Sequence, residues 1–321
     1  MQAKNMIAAL LALAASSVAV ADAWPSQSIH LIVPYAPGGG NDVISRLVAR
    51  QLEGKLKVPV LVDNKGGANG SIGVVMLKQA KPDGYTLATI PSGPLDVNPF
   101  LMKGITYDPA KDFTYIGPMV KFPLFLAVAP NSGVKTVAQL IAKAKAEPGK
   151  VTYSSAGIGN STHLAGALLA HATGTQMTHV AYRGSGPAAV ALMGGEVTFT
   201  FGSGPSIMDF VNSGKVVGLG VSEPARLESE KNIPTIAEQG VPGFEASSWA
   251  GIVGPAGLPN AVADKLTQSL REVMEDPEFR KVVFARGMVP ISGNGKEFET
   301  MVQKDARKWS RLITEAGIKA E

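Results

Sequence analysis

Short apolar runs alternate with stretches of helical periodicity through the first third of the chain. The runs predict strands at residues 29–35, 58–62 and 85–90, and the spacing between them predicts helices at 43–53 and 71–80. Alternation of this kind is typical of a parallel sheet covered by helices on both faces. We therefore expect a first α/β lobe here.

The same alternation begins again after Pro130, which indicates a second lobe of similar architecture. Its predicted strands are 151–155, 179–182, 197–201 and 216–221, and its predicted helices are 137–146, 162–172 and 187–193. Residues 223–247, rich in proline, glycine and charge, predict a long surface segment. Helical spacing returns at 261–274, at 277–285 and from Phe298 to Ile313.

The first 23 residues predict a secretory signal peptide. Lys4 supplies a positive start, residues 7–20 are an apolar run, and Ala21-Asp22-Ala23 fits a cleavage site before Trp24. The run is short for a membrane span, which needs about 20 apolar residues, although an uncleaved anchor is the alternative. We expect a periplasmic protein.

Composition narrows the classes of function. The chain has no cysteine, 17% charged residues and a formal net charge of +4. Its basic residues are spread without a cluster, which argues against nucleic-acid binding. The sequence lacks the G-x-S-x-G motif typical of serine hydrolases and the H-E-x-x-H motif typical of zinc proteases. A metal triad of His163, His171 and His179 is one interpretation of their regular spacing, but capping or solvated histidines are favoured, so no metal or cofactor is expected.

A glycine-rich turn joins the first predicted strand to its helix. Within VPYAPGGGNDVISRLVARQL, Gly38, Gly39 and Gly40 precede Asn41 and Asp42, either of which is suited to cap the helix. Glycines let backbone amides approach a ligand, and the amides at a helix N-terminus attract anions. An anion cradle and a tight turn with an Asx cap fit this stretch equally well. The charge of Asp42 counts against an anion.

A second stretch, VTYSSAGIGNSTHLAGALLAH, repeats this arrangement in the other lobe. It nearly matches the dinucleotide fingerprint, but Thr162 stands where the third glycine belongs and no acidic residue follows at the usual distance. We interpret it as an anion loop whose hydroxyls and Asn160 amide hydrogen-bond a carboxylate. Two such loops facing each other across a cleft would clamp the ends of one elongated anion and favour closure.

These loops and several further motifs carry a resemblance to a known family. The motifs occur in the order WPSQSIHLIVPYAPGGGND, VDNKGGANGSIG, KPDGYTL, YDPAKDF, AEPGKVTYSSAGIGNSTHLAG, HVAYRGSGPA, NIPTIAEQGVPGF and WAGIVGPAGLP. The chain resembles the Bug-type extracytoplasmic solute-binding receptors of tripartite tricarboxylate transport systems over essentially its whole mature length. The resemblance implies an α/β fold with two lobes, the periplasmic-binding-protein (Venus-flytrap) fold, with a hinge between two doubly wound sheets.

The resemblance also implies the lobe boundaries and the ligand-binding residues. Lobe 1 would comprise residues 24–121 and 248–321, lobe 2 would comprise residues 122–247, and the connecting strands would lie near 121–128 and 248–253. One end of a small carboxylate would lie against Tyr35, Pro37, Gly38, Gly39, Gly40 and Asn41. The other end would lie against Ser155, Asn160, Ser161, Thr162 and His163, and the cleft would be completed by Ser92, Gly93, Gly202 and Ser203.

The expected function is capture of a small organic carboxylate and its delivery to the membrane permease subunits of a tripartite transporter. Many relatives carry acidic residues where this chain has Thr198 and Phe201-Gly202, so a plain mono- or dicarboxylate is favoured over an amino acid. We expect a monomer without catalytic residues. The alternatives are a hydrolase or lyase using the same cleft, and a sensor for a signalling partner. Trp249 and Phe244 are expected in the core rather than stacked on a ligand.

Overall fold

The computed structural model describes residues 24–319, whose strands form two separate sheets. The first sheet contains β1 (Ile29–Val33), β2 (Val60–Asn64), β3 (Thr86–Pro91), β4 (Phe113–Phe122), β10 (Ser248–Pro255) and β11 (Val289–Pro290). The second contains β5 (Leu124–Val128), β6 (Thr152–Ser155), β7 (Thr178–Ala181), β8 (Phe199–Ser203) and β9 (Val217–Val221). The strand orders are β11-β4-β10-β3-β1-β2 and β7-β6-β8-β5-β9. The predicted signal peptide lies outside the described residues.

Helices cover both faces of each sheet. They are α1 (Gly40–Leu56), α2 (Ser71–Lys78), α3 (Asn98–Leu101), α4 (Val137–Ala146), α5 (Ser161–Thr173), α6 (Ser185–Met193), α7 (Gly204–Asn212), α8 (Asn260–Glu275), α9 (Pro277–Phe284) and α10 (Gly295–Glu315). On the second sheet, α4 and α5 bury Leu140 and Leu164 against one face, and α6 and α7 bury Leu192 and Ile207 against the other. None of the helices within residues 24–319 has the length and apolar character needed to cross a membrane.

The sheets are mixed, whereas the strand-helix alternation alone predicts parallel ones. Strand β1 pairs in parallel with β2 and β3, and β6 pairs in parallel with β7 and β8. However, β10 runs antiparallel between β3 and β4, and β5 runs antiparallel between β8 and β9. Each parallel triplet still brings three carboxyl-terminal strand ends to one sheet edge, where ligands bind in open α/β sheets.

The chain passes between the sheets at three places. Strands β4 and β5 are separated by Pro123 alone, and the chain returns to the first sheet at Ser248, where β10 begins. The third connection is α10, whose Phe298 packs in a core of the first sheet and whose Trp309 packs in a core of the second. The predicted assignment of all residues from 248 onward to lobe 1 therefore stays a prediction, since this helix packs on both sheets.

Two segments differ from their sequence-based prediction. The interval between the predicted strands 197–201 and 216–221 was given no element, and it contains α7. The predicted surface segment 223–247 buries Ile236, Val241 and Phe244 in a core of the second sheet, because its few apolar residues fold inward between polar turns. Trp249 is 1% exposed and Phe244 is 3% exposed, so both lie in the core as predicted.

Candidate functional site

A cleft of about 1080 Å³ opens between the two sheets. The loops that follow β1, β2 and β3 form one wall, and the loops that follow β6, β7 and β8 form the other. The walls touch at Gly159, where an added Cβ would lie 3.2 Å from Nδ2 of Asn69 and 2.9 Å from a methyl group of Leu101. The two predicted loops therefore face each other across one cleft.

Most of the predicted site residues line this cleft. They are Tyr35, Pro37, Gly38, Gly39, Gly40, Asn41, Ser92, Gly93, Asn160, Ser161, Thr162 and Ser203. The predicted residues Ser155, His163 and Gly202 do not line it. Gly202 faces α7, because a Cβ there would lie 2.8 Å from Cβ of Ile207. Ligand contact by the lining residues stays a prediction.

The three glycines of the first loop have different structural roles. Gly38 has a φ of +87°, which favours glycine. Gly39 is the extended N-cap of α1, and Gly40 packs so closely on Phe122 that an added Cβ would lie 3.1 Å from its ring. The amides of Gly40 and Asn41 lie in the first turn of α1, where no intrahelical acceptor exists. Because Gly40 and Asn41 line the cleft, their amides are candidate donors to an anion there.

Asp42 does not cap the helix as predicted. Its Oδ2 accepts from the Gly38 amide at 2.9 Å, and its Oδ1 accepts from Nε of Arg46 at 3.0 Å and Nδ2 of Asn64 at 2.9 Å. Burial would raise the pKa of Asp42, but these hydrogen bonds outweigh it and lower the pKa. The carboxylate is thus paired with Arg46, and it already accepts from the Gly38 amide, which is therefore not free to donate to a ligand.

The loop after β2, residues 66–70, forms part of the first wall and was not predicted as site. Ala68 and Asn69 both adopt left-handed backbone conformations, with φ of 46° and 47°. The Tyr35 hydroxyl donates to Oδ1 of Asn69 at 3.0 Å, and Nδ2 of Asn69 donates to Oδ1 of Asn98 at 2.8 Å. Burial raises the pKa of Tyr35, so the hydroxyl stays neutral and a donor. This network fixes the wall.

The second predicted loop uses much of its own hydrogen-bonding capacity. Oδ1 of Asn160 accepts from the Thr162 amide at 3.1 Å and so caps α5. Oγ1 of Thr162 in turn accepts from the Ala156 amide at 2.9 Å, and the Gly159 amide donates to Nδ1 of His163 at 3.2 Å. The loop therefore offers a ligand fewer groups than predicted, chiefly the Ser161 amide and Nδ2 of Asn160, because the Ser161 hydroxyl itself donates to Oδ1 of Asn160 at 3.4 Å.

Ser155 and His163 lie behind this loop. Oγ of Ser155 is 2.6 Å from Nε2 of His179, and the rings of His163 and His179 stack with centroids 3.8 Å apart. Burial, together with His179, lowers the pKa of His163 to about 3, and burial lowers the pKa of His179 to about 4. Both rings are therefore neutral near pH 7. Ser155 is 0% exposed, so this serine-histidine pair cannot reach a substrate.

The three histidines do not form a triad. His171 lies 3.6 Å from a carboxylate oxygen of Glu315, away from the stacked pair. Within the described part of the chain, no group of three or more histidine or acidic side chains is arranged to hold a metal ion.

Two further parts of the cleft lining, the loop after β7 and the first turns of α7, were not predicted. Residues 183–187 follow β7 and begin α6, and Ser206, Asp209 and Phe210 line the cleft from α7. The signals were present as RGSGP and SGPS, in which glycine and proline mark a helix start after a strand. The cleft lining therefore contains Arg183, which was not among the predicted site residues.

Comparison with known proteins identifies the family. The family model described as "Tripartite tricarboxylate transporter family receptor", TctC, matches residues 44–318. The chain belongs to this family. BugT of Bordetella pertussis is 32% identical over 300 residues, which cover 93% of this chain and 92% of that protein.

Solved structures of TctC-type proteins share the fold. The periplasmic binding protein BugD is 30% identical with a TM-score of 0.84, and the match covers 93% of this chain and 100% of that one. An R. palustris protein solved with adipate, Rpa4515, is 29% identical with a TM-score of 0.88, and the match covers 92% of this chain and 99% of that one. The Bug-type resemblance and the two-lobe fold are confirmed.

Membership of the TctC family also decides the class of activity. The family consists of solute-binding receptors of tripartite transporters, not of enzymes, and BugD is periplasmic. The protein is thus a solute-binding receptor, as predicted, and the hydrolase or lyase alternative has no support.

Proposed function

We propose that this receptor captures a small organic carboxylate between its lobes in the periplasm and delivers it to the membrane subunits of its transporter. One observation carries the proposal: helices from both sheets point their N-termini at the same cleft. They are α1 and α2 from the first sheet and α5, α6 and α7 from the second. Each N-terminus carries a partial positive charge and amides without intrahelical acceptors.

The family and the cleft agree on an anionic ligand. The R. palustris relative was solved with adipate, which is a carboxylate. Micromolar affinity needs about 8 kcal/mol. About six charge-assisted hydrogen bonds at about 1.5 to 3 kcal/mol each supply this once the unfavourable terms of association are subtracted. Backbone amides and hydroxyls on the two walls are numerous enough for that.

We place the hinge where the chain passes between the sheets. Phe122 and Leu124, on either side of Pro123, line the floor of the cleft, and the hydroxyls of Ser92 and Ser248 lie 2.8 Å apart beside it. A ligand that contacts both walls stabilises the closed state over the open one. We assign residues 24–121 and 248–321 to lobe 1 and 122–247 to lobe 2, with the mature chain beginning at Trp24.

A thermal-shift screen of some dozens of carboxylic acids tests the proposal. The purified protein should gain several degrees of melting temperature with at least one acid, because a ligand that binds only the folded state stabilises it. The matched primary amides, which lack the charge, should give no gain. Mass spectrometry should recover the acid unchanged. A screen in which no acid raises the melting temperature, or the amides do so equally, would contradict carboxylate capture.

A further inference from the structure

Two charged side chains line the cleft among the described residues, Arg183 and Asp209. Both are exposed. Arg183 follows β7, and Asp209 lies in α7, so both belong to the wall formed by the second sheet. Among residues 24–319, no acidic side chain lies within ion-pairing distance of the Arg183 guanidinium, and the two residues do not pair with each other.

The backbone beside Arg183 is also open to an anion. Gly184 is the N-cap of α6 and supplies no side-chain cap, in contrast to Asn160 at α5. The first helical bond of α6 is donated by the Ala188 amide to the Gly184 carbonyl at 3.3 Å. The amides of Ser185 and Gly186 precede that bond and have no intrahelical acceptor. An unpaired guanidinium thus adjoins an uncapped helix N-terminus.

We infer that Arg183 is a specificity-determining residue that binds a second anionic group of the ligand, so that the site selects dicarboxylates over monocarboxylates. The inference rests on the proposed function, in which the amides of the first loop hold one carboxylate. The planar guanidinium fork matches the two oxygens of the other carboxylate. The Ser185 and Gly186 amides supply additional donors to the same group.

Asp209 suggests a different class of ligand, because its carboxylate could bind the ammonium group of a zwitterion such as an amino acid. The field in the cleft disfavours that class, since helix N-termini from both sheets adjoin the cleft, while Asp209 is the one carboxylate among the described residues that lines it.

Calorimetric titration with matched probes tests the inference. Each probe set contains a dicarboxylate, the monocarboxylate of equal chain length and the corresponding ω-amino acid, such as adipate, hexanoate and ω-aminohexanoate. Chain lengths run from that of succinate to that of pimelate. The protein variants are Arg183→Gln, Arg183→Lys, Asp209→Asn and the control Arg286→Gln, which removes an exposed arginine outside the cleft.

In the best-fitting set, the wild-type protein should bind the dicarboxylate about tenfold or more tightly than the monocarboxylate. Arg183→Gln should weaken dicarboxylate binding by about tenfold to a hundredfold, the range of one charge-assisted hydrogen-bonded pair. It should leave monocarboxylate binding within about twofold. Arg183→Lys should retain part of the selectivity, and neither Asp209→Asn nor Arg286→Gln should weaken dicarboxylate binding.

Other outcomes overturn the inference and remain distinguishable from failure of the proposed function. If Arg183→Gln weakens the binding of dicarboxylate and monocarboxylate equally, Arg183 attracts anions in general and does not select between them. If the variant weakens neither, Arg183 does not contact the ligand. Tightest binding of the ω-amino acid, lost in Asp209→Asn, would assign a zwitterion. In each case the protein would still be a carboxylate receptor. Absence of binding by every probe would overturn the inference, and it would overturn the proposed function as well only if the thermal-shift screen also finds no binding acid.

Discussion

Gly204 and Gly287 lie backbone against backbone where α7 meets the end of α9. A Cβ added to Gly204 would lie 2.6 Å from the carbonyl oxygen of Gly287 and 2.8 Å from its Cα. Gly204 opens a helix of the second sheet, and Gly287 leads into β11 of the first. The two halves of the molecule therefore touch here without an intervening side chain, and a larger residue at either position must push them apart.

Gly204→Ala should lower the free energy of unfolding by about 1 to 3 kcal/mol, the usual effect of overpacking. Urea denaturation measures it. Gly54→Ala in α1 is the matched control, because its Cβ would meet nothing within 4 Å, and helix propensity predicts a gain of about 0.5 to 1 kcal/mol. Unchanged stability in Gly204→Ala would contradict the close contact between the halves.

Gly39→Val should abolish ligand binding while leaving the fold intact. A Cβ at this position would meet only the Ala36 carbonyl oxygen, at 3.9 Å, and the backbone φ of −77° suits valine. The branched side chain would occupy the space beside the first-turn amides of α1. We expect the unliganded melting temperature to stay near that of the wild-type protein and the shift with a binding acid to disappear. An undiminished shift would remove this loop from the site.

Asp96 should make the free energy of unfolding fall as the pH rises above the ordinary pKa of an aspartate. It is 0% exposed, and neither carboxylate oxygen has a hydrogen-bond partner among the described residues. Burial, followed by the charge of Asp305, raises the pKa of Asp96 well above its ordinary value. The folded protein thus holds this proton more tightly than the unfolded chain does, so the free energy of unfolding falls as pH rises from about 4 through the raised pKa.

Asp96→Asn removes this dependence because the amide does not ionise. The variant should gain free energy of unfolding relative to the wild-type protein, and the gain should grow with pH to about 1 kcal/mol or more at about pH 8. Urea denaturation at several pH values measures the difference. A loss of stability at alkaline pH, or a gain that does not change with pH, would show that Asp96 is not a buried titrating carboxyl.

The stacked histidines should make the protein sensitive to acid. Their pKa values in the folded protein are about 3 for His163 and about 4 for His179, against 6.5 ordinarily. At pH values between 6.5 and these lowered pKa values, the unfolded chain binds more protons than the folded protein does. The free energy of unfolding is therefore highest above pH 6.5 and decreases as the pH falls toward about 4.

His179→Gln should therefore flatten the acid limb of the stability curve, by at most about 1.4 kcal/mol per pH unit for one proton. If His179→Gln keeps the wild-type slope, the acid sensitivity comes from other groups.

Much of the fold could be predicted because the strand-helix alternation is local. The predicted strands before the two glycine loops, 29–35 and 151–155, match β1 and β6 to within two residues. The insertion of β10 between β3 and β4 could not be predicted in the same way. That pairing joins residues far apart in the chain, and no local pattern encodes it.

For the site as well, the features encoded locally in the sequence could be predicted and those that depend on long-range contacts could not. The loop after β1 was predicted because its glycines are unusual in themselves. Arg183 was not placed, because its position at the cleft depends on β7 lying beside β6 in the sheet. His163 was predicted to lie near the ligand because it falls in the first turn of α5. Its side chain is instead on the buried side of that helix, where its ring stacks on His179.

The last helix has a consequence for how the molecule comes apart on heating. The helix α10 buries Phe298 in a core of the first sheet and Trp309 in a core of the second. Unfolding of either half therefore removes packing contacts of α10 that also stabilise the other half. Calorimetry should accordingly record one cooperative endotherm for both halves, where two independently hinged domains would give two.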